Sequence, residues 1–119
     1  MQIIVGVDGS EGGMQTLEEA VARAQAADDD LTVAVYSPEG SAADVEAAVR
    51  NRLDALGFDA RIQVLDGDPG ARLVDVAQRE EYDRIVLSGG HVSPLGKVQV
   101  DSVIEFVLLN AHTTVTLVR

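Results

Sequence analysis

Apolar residues along this chain follow two alternating patterns. Short runs that are apolar on both faces of an extended strand alternate with longer stretches whose apolar residues recur every three or four positions. The first pattern is typical of strands buried on both faces, and the second of amphipathic helices. The pattern predicts five strands, at residues 2–8, 31–36, 61–65, 83–88 and 114–118. The third of them alternates more than the others and is expected at an edge of the sheet.

The stretches between the strands predict four helices. Ser41 is expected to cap the second helix, Gly57 to end it, and Pro69 to open the third. The predicted buried faces are Leu17, Ala20, Val21 and Ala24; Val45, Ala48, Val49, Leu53 and Leu56; Leu73, Val76 and Ala77; and Val103, Phe106, Val107 and Leu109.

Five strands alternating with four helices predict one α/β domain over residues 1–119, a three-layer sandwich around a parallel sheet. Right-handed crossovers allow the chain to wind both ways from the first strand, which gives the strand order 3-2-1-4-5. The chain reverses between strands 1 and 4. Ligands of such sheets bind at the carboxyl ends of the strands beside that point, here residues 8–10 and 88–97.

The segment 88–97 (SGGHVSPLGK) contains three glycines and Lys97 directly after a predicted strand. Glycines allow backbone amides to approach a phosphate, and the lysine adds a positive charge. The spacing is not that of a Walker loop, because five residues separate Gly90 from Gly96 and Val98 follows the lysine. A glycine-rich turn without a ligand is the alternative interpretation.

Two further positions allow both a binding role and a structural role. Asp8 ends the first strand and can accept hydrogen bonds from a ribose or an adenine amino group, or it can cap the first helix together with Ser10. Ser102 and Glu105 at the start of the last helix form a capping-box pattern, while the same helix terminus is able to bind an anion. Both roles need the same backbone amides.

Composition narrows the range of functions. A net charge of −11 makes nucleic acid an improbable partner, because phosphate-backbone binding needs a basic surface. Lys97 is the only lysine among nine basic residues, a composition that resembles proteins of salt-loving microbes. Without cysteine, disulfides and thiolate metal sites are excluded. We expect a cytoplasmic protein without a membrane span or a signal peptide, and we expect no enzyme, since no serine lies in a nucleophile elbow.

The chain resembles the universal stress protein family over its whole length. Three segments carry the resemblance: IIVGVDGSEGG at 3–13, DGDPGARLVDVAQREEYDRIVLSGG at 66–90 and GKVQVDSVIEFVLLNAHTTVTLVR at 96–119. The resemblance implies an adenine-nucleotide alpha hydrolase-like fold, dimerisation through the last strand (114–118), a role in stress survival and, in one branch of the family, ATP binding.

The family's nucleotide-binding roles would fall on six residues here. They are Asp8 and Val35 for the adenosine, Gly89 for the α-phosphate region, and Lys97, Ser102 and Val103 for the phosphates. The chain departs from the nucleotide-binding pattern at Asp101, which replaces a glycine, and at residues 91–92, where a second glycine is expected. A carboxylate at position 101 repels phosphate, so ATP binding is expected to be weak, lost or dependent on Mg²⁺.

Two functions therefore follow as hypotheses. The first is a homodimeric stress-response module that binds ATP or AMP, with Mg²⁺ in the case of ATP. The second is a universal stress protein that binds no nucleotide and acts through protein interactions, with Asp101 and the capping box satisfying the helix terminus internally.

Overall fold

A computed structural model describes residues 1–37, 41–89, 91–92, 98–99 and 101–118. Five of its strands match the five predicted ones to within one residue at each end. The strands are β1 (Gln2–Val7), β2 (Asp30–Val35), β3 (Arg61–Val64), β4 (Arg84–Ser88), β5 (His91–Val92), β6 (Val98–Gln99) and β7 (Thr114–Val118). The helices are α1 (Glu11–Ala27), α2 (Ala42–Leu56), α3 (Pro69–Arg79) and α4 (Ser102–Asn110).

The main sheet has five parallel strands in the order β3-β2-β1-β4-β7. This order confirms the predicted 3-2-1-4-5 arrangement, in which β7 is the fifth strand of the sheet. The first strand lies at the centre, because Ile3 is in register with Leu31 of β2 on one side and with Arg84 of β4 on the other. The alternating third strand lies at one edge, as predicted, and β7 lies at the other.

Helices cover both faces of the sheet, so the molecule has three layers. One apolar core joins α1 and α2 to the sheet residues on the face that we call the α1/α2 face. A second core joins α3 and α4 to the opposite face, the α3/α4 face. Val5 and Val33 are fully buried in the first core, and Ile4 and Ile85 in the second. Burial on both faces explains why these strands are apolar at nearly every position.

Local capping positions most of the helix ends where the sequence predicts them. The Ser41 side chain accepts a hydrogen bond from the Ala43 amide, and Gly57 ends α2 in the left-handed conformation with a φ of 65°. Pro69 opens α3 behind Asp68, whose carboxylate accepts from the Gly70 amide. The start of α4 differs from the prediction, since its capping side chain is Asp101 and not Ser102.

Three further predictions were wrong in detail. Ala48 of α2 was expected on the buried face but is exposed. The segment after β4, interpreted as a loop, contains the antiparallel pair β5–β6, in which His91 is opposite Gln99. In α4, Leu109 was expected to face the core but is 76% exposed, whereas Ile104 and Val107 are buried. This helix is apolar around most of its circumference, so periodicity alone cannot identify its buried face.

Candidate functional site

The chain reverses its winding direction beside β1, which is the point where sheets of this type form a ligand crevice. After β1 the chain passes to α1 on one face of the sheet, and after β4 it passes towards α4 on the other face. The two connections diverge from neighbouring strands at the same end of the sheet, as the sequence predicts. They also approach closely, because a Cβ atom built on Gly12 of α1 would lie 3.2 Å from the Ser88 hydroxyl.

The first wall of the crevice is the turn from β1 into α1. Oδ1 of Asp8 accepts a hydrogen bond from the Ser10 amide at 3.0 Å. The Ser10 hydroxyl accepts in turn from the Gly13 amide at 3.0 Å and caps α1. Among the described residues, Oδ2 of Asp8 has no hydrogen-bond partner. The carboxylate therefore supports the turn through one oxygen and keeps the other available to a ligand.

Tyr36 lies next to this turn, at the end of the neighbouring strand β2. It follows β2 directly, donates its backbone amide to the Val7 carbonyl at 3.1 Å and is only 7% exposed. Its ring lies over Gly6, since a Cβ atom on that glycine would lie 3.5 Å from Cε1 of the ring. Burial raises the pKa of the Tyr36 phenol well above its usual range, and the negative charges of Asp8 and Asp101 raise it further. The phenol thus stays protonated and remains a hydrogen-bond donor near two carboxylates.

The second wall is the start of α4. Oδ1 of Asp101 accepts from the Ile104 amide at 2.8 Å, and the Asp101 carbonyl accepts from the Glu105 amide at 3.0 Å. The side chain therefore occupies one of the amides that an anion would use. The first two helical residues, Ser102 and Val103, belong to the predicted phosphate site; Ser102 is exposed and Val103 is half-buried against the α3/α4 core.

The remaining predicted residues differ in accessibility. The Val35 side chain is fully buried in the α1/α2 core, and its carbonyl accepts from the Leu65 amide at 2.8 Å. Gly89 lies at the end of β4 and donates its amide to the Val118 carbonyl. Lys97 lies outside the described residues. The structure therefore gathers Asp8, Gly89 and Ser102 at one end of the sheet and leaves Val35 only its backbone for contact with a ligand.

Tyr36 was not among the predicted site residues. One signal was present, since the chain has only two tyrosines and two phenylalanines, and this tyrosine is the last residue of the predicted second strand, which neighbours the first. Within the described ranges, neither Asp8 nor Asp101 is in an ion pair, and no group of three or more potential metal ligands occurs. The described part of the crevice is therefore acidic, with a neutral phenol near its two carboxylates.

Comparisons with known proteins give a consistent result. The sequence model of the universal stress protein family matches residues 1–119. The universal stress protein UspA from Lactobacillus plantarum is similar in structure, with a TM-score of 0.81 and 25% identity over 100% of this chain and 97% of that one. A universal stress protein in complex with cAMP has a TM-score of 0.79 and 24% identity, over 100% of this chain and 96% of that one. The universal stress protein from Archaeoglobus fulgidus in complex with dAMP has a TM-score of 0.73 and 21% identity, over 100% of this chain and 98% of that one.

These similarities show that the architecture is the adenine-nucleotide alpha hydrolase-like fold. A search of the curated proteins gave no match. None of the helices in the described part of the chain has the length and apolar character that a bilayer crossing requires.

Proposed function

Since this chain belongs to the universal stress protein family, we propose that it binds an adenine nucleotide in the crevice between β1 and β4. It then acts as a nucleotide-responsive module of the stress response in the cytoplasm, without catalysing a reaction. The observation that carries the proposal is the cluster of Asp8, Tyr36 and Asp101, in which a free carboxylate oxygen and a protonated phenol lie at the crevice. Two relatives of the same fold are described as complexes with cAMP and dAMP, which supports this ligand class.

The charges of the crevice favour a nucleotide with few phosphates. A carboxylate about 6 Å from one phosphate charge costs roughly 1 kcal/mol in water and about 3 kcal/mol at an effective dielectric constant of 20. Asp101 therefore disfavours a free triphosphate more than a monophosphate. We propose AMP as the preferred ligand, and ATP only when Mg²⁺ bridges its phosphates to a carboxylate, since Mg²⁺ prefers oxygen ligands.

Each predicted residue has a role in this proposal. Asp8 accepts a hydrogen bond from the adenosine through Oδ2, and Val35 contributes only backbone contacts. Gly89, Lys97, Ser102 and Val103 line the phosphate side. Tyr36 is added to this set as a donor beside Asp8.

Calorimetric titration of the protein with AMP and ATP, with and without Mg²⁺, tests the proposal. We expect AMP to bind without metal and ATP to need it. Asn caps helices as well as Asp does, so Asp101→Asn removes the charge and keeps the cap. This variant should bind metal-free ATP at least about tenfold more tightly than the wild type.

Asp68→Asn is the matched control, because Asp68 also caps its helix, accepting from the Gly70 amide at the start of α3, but follows β3 at the far edge of the sheet. It should leave ATP binding unchanged. If Asp101→Asn has no more effect than Asp68→Asn, the charge argument is wrong. If neither nucleotide binds to the wild type, the ligand is wrong.

One observation favours the second candidate, a module that binds no nucleotide and acts through protein interactions. Asp101 already satisfies the Ile104 amide, so α4 is capped without a ligand. A ligand specific for the folded state must raise its stability. An unchanged melting temperature at millimolar AMP and Mg²⁺-ATP would support this candidate over the first.

We also propose that the protein forms a homodimer through β7. This strand is an edge of the sheet and contains neither proline nor charge within residues 114–118, so its free backbone groups can pair with a second copy. Three exposed large apolar side chains lie on β7 and on α4, the helix that precedes it. Leu117 of β7 is 37% exposed, and Leu108 and Leu109 at the end of α4 are 48% and 76% exposed.

A further inference from the structure

A second cavity lies on the α1/α2 face, away from the crevice. It has a volume of about 220 Å³ and runs between α1 and the strands β1, β4 and β7. Its lining consists of Met1, Ile3, Glu19, Ala20, Arg23, Ala27, Asp29, Arg84, Val86, Thr116 and Val118. Most of these side chains are apolar or small, and the charged ones belong to α1, β4 and the turn before β2.

The cavity contains the arginines that lack partners. Seven arginines lie among the described residues, and five of them are in ion pairs with acidic residues: Arg50, Arg52, Arg61, Arg72 and Arg79. The other two, Arg23 and Arg84, have no ion pair within the described residues, and both line this one cavity. In a chain with a net charge of −11, carboxylates are abundant, so two unpaired arginines in the lining of one cavity are unexpected.

Of the two arginines, Arg84 has the clearer lack of a hydrogen-bond acceptor. Its Nε atom is buried and has no hydrogen-bond partner among the described residues. A buried donor on a charged group is destabilising until an acceptor reaches it, so this nitrogen favours the binding of an anion in the cavity. Arginine matches a carboxylate in particular, because its planar fork donates two parallel hydrogen bonds.

The acidic side chains of the lining do not supply this acceptor. Asp29 is 3.2 Å from the N-terminal ammonium group of Met1 and is thereby neutralised. Glu19 is exposed on α1 and forms no ion pair with either arginine. Two arginines and the ammonium group against two carboxylates give the lining a net charge of +1, opposite in sign to the molecule as a whole.

We propose that this cavity binds a small organic monocarboxylate with an apolar body. The carboxylate pairs with Arg84 and Arg23, and the body packs against Ile3, Ala20 and Val86. The volume suits one ring or a short alkyl chain, since a cavity of about 150 Å³ already holds benzene in another protein. Inorganic phosphate fits less well, because an apolar lining does not satisfy its remaining oxygens.

Benzoate titrated into the full chain, followed by methyl NMR, tests the proposal. We expect saturable shifts of the Ile3, Val86 and Val118 methyl signals, with Leu73 of the opposite core unchanged. Benzyl alcohol has the same ring without the charge and should bind at least about tenfold more weakly. Benzylamine should not bind. Equal affinity for benzoate and benzyl alcohol would overturn the role of the arginines.

Variants locate the charge. Arg84→Met should weaken benzoate binding by about tenfold or more. Arg23→Gln should also weaken it, although Arg23 is exposed. Arg50→Met, which removes an arginine of α2 far from the cavity, should have no effect. Glu19→Gln should tighten binding by a few fold, because it removes a like charge from the rim. A merely structural role of these residues does not produce this gain.

The outcome is independent of the nucleotide proposal, since AMP should shift signals near Tyr36 and benzoate those near Val86. If benzoate causes no shift at 20 mM, the proposal is wrong, and movement of the Val118 signals on dilution would then show that a second copy covers the cavity.

Discussion

Tyr36 links the chemistry of the crevice to the stability of the molecule. Because burial and two carboxylates raise its pKa, the folded protein keeps the phenol proton at a pH where the unfolded chain releases it, above about pH 10. The unfolded state then binds fewer protons, so the free energy of unfolding falls as the pH rises, by at most about 1.4 kcal/mol per pH unit from this group.

Tyr36→Phe removes this dependence. We expect the free energy of unfolding of the variant, measured in urea from pH 8 to pH 11, to fall less steeply above about pH 10 than that of the wild type. Below about pH 9 the two proteins should have parallel pH profiles. Parallel profiles over the whole range would show that the fold does not hold the phenol neutral.

Gly6 is a second residue whose role is local. A Cβ atom at this position would lie 2.7 Å from Cδ2 of Leu87 and 3.4 Å from Cδ2 of Leu73. Gly6→Ala should therefore destabilise the protein by about 1–3 kcal/mol through overpacking. Leu87→Val removes the nearest atom, so the double variant should lose less stability in urea unfolding than the two single variants combined. Additive losses would contradict the proposed contact.

At the scale of the elements, the cap of α4 is the most informative feature. Asp101→Ala removes the acceptor of the Ile104 amide and should lower the free energy of unfolding by about 1 kcal/mol. Asp101→Asn should lower it by a few tenths of a kcal/mol at most. Urea unfolding at neutral pH measures both. Equal losses would mean that the carboxylate charge, and not the cap, stabilises the start of the helix.

The elements also show what a sequence can predict. Strands buried on both faces, such as β1 and β4, can be predicted from their continuous runs of apolar residues. The helix α1 can be predicted from apolar residues that recur every three or four positions. The β5–β6 pair has two residues in each strand, too few for any periodicity. In α4, apolar residues surround the axis, so the exposure of Leu109 depends on packing that only the folded molecule defines.

The sequence predicts where the candidate site lies in the sheet, but not how its side chains are arranged. Strand order alone positions Asp8 and Gly89 at one end of the sheet. The proximity of Tyr36 to two carboxylates brings together three segments that are distant in the chain, which no local pattern contains. The choice between Asp101 and Ser102 as the cap of α4 likewise depends on a backbone geometry that both residues can adopt.

At the scale of the whole molecule, the two edges of the sheet provide a matched test of dimerisation. Leu117 on β7 and Val64 on β3 are each 37% exposed. Lysine on an edge strand opposes pairing with another strand. Leu117→Lys should therefore be a monomer in light scattering at micromolar concentration, while Val64→Lys should stay a dimer like the wild type. If only Val64→Lys breaks the dimer, the interface lies at β3 and the proposed β7 interface is wrong.

The central position of β1 has a consequence for how the molecule is made. Its partner β4 lies some eighty residues later, and the Gln2 amide donates to the Asp83 carboxylate across that separation. During synthesis the first strand therefore emerges from the ribosome with one side unpaired, and it stays so until most of the chain has been translated. Because the crevice forms only after β1 has paired with β4, the proposed nucleotide binding would require that translation has passed β4.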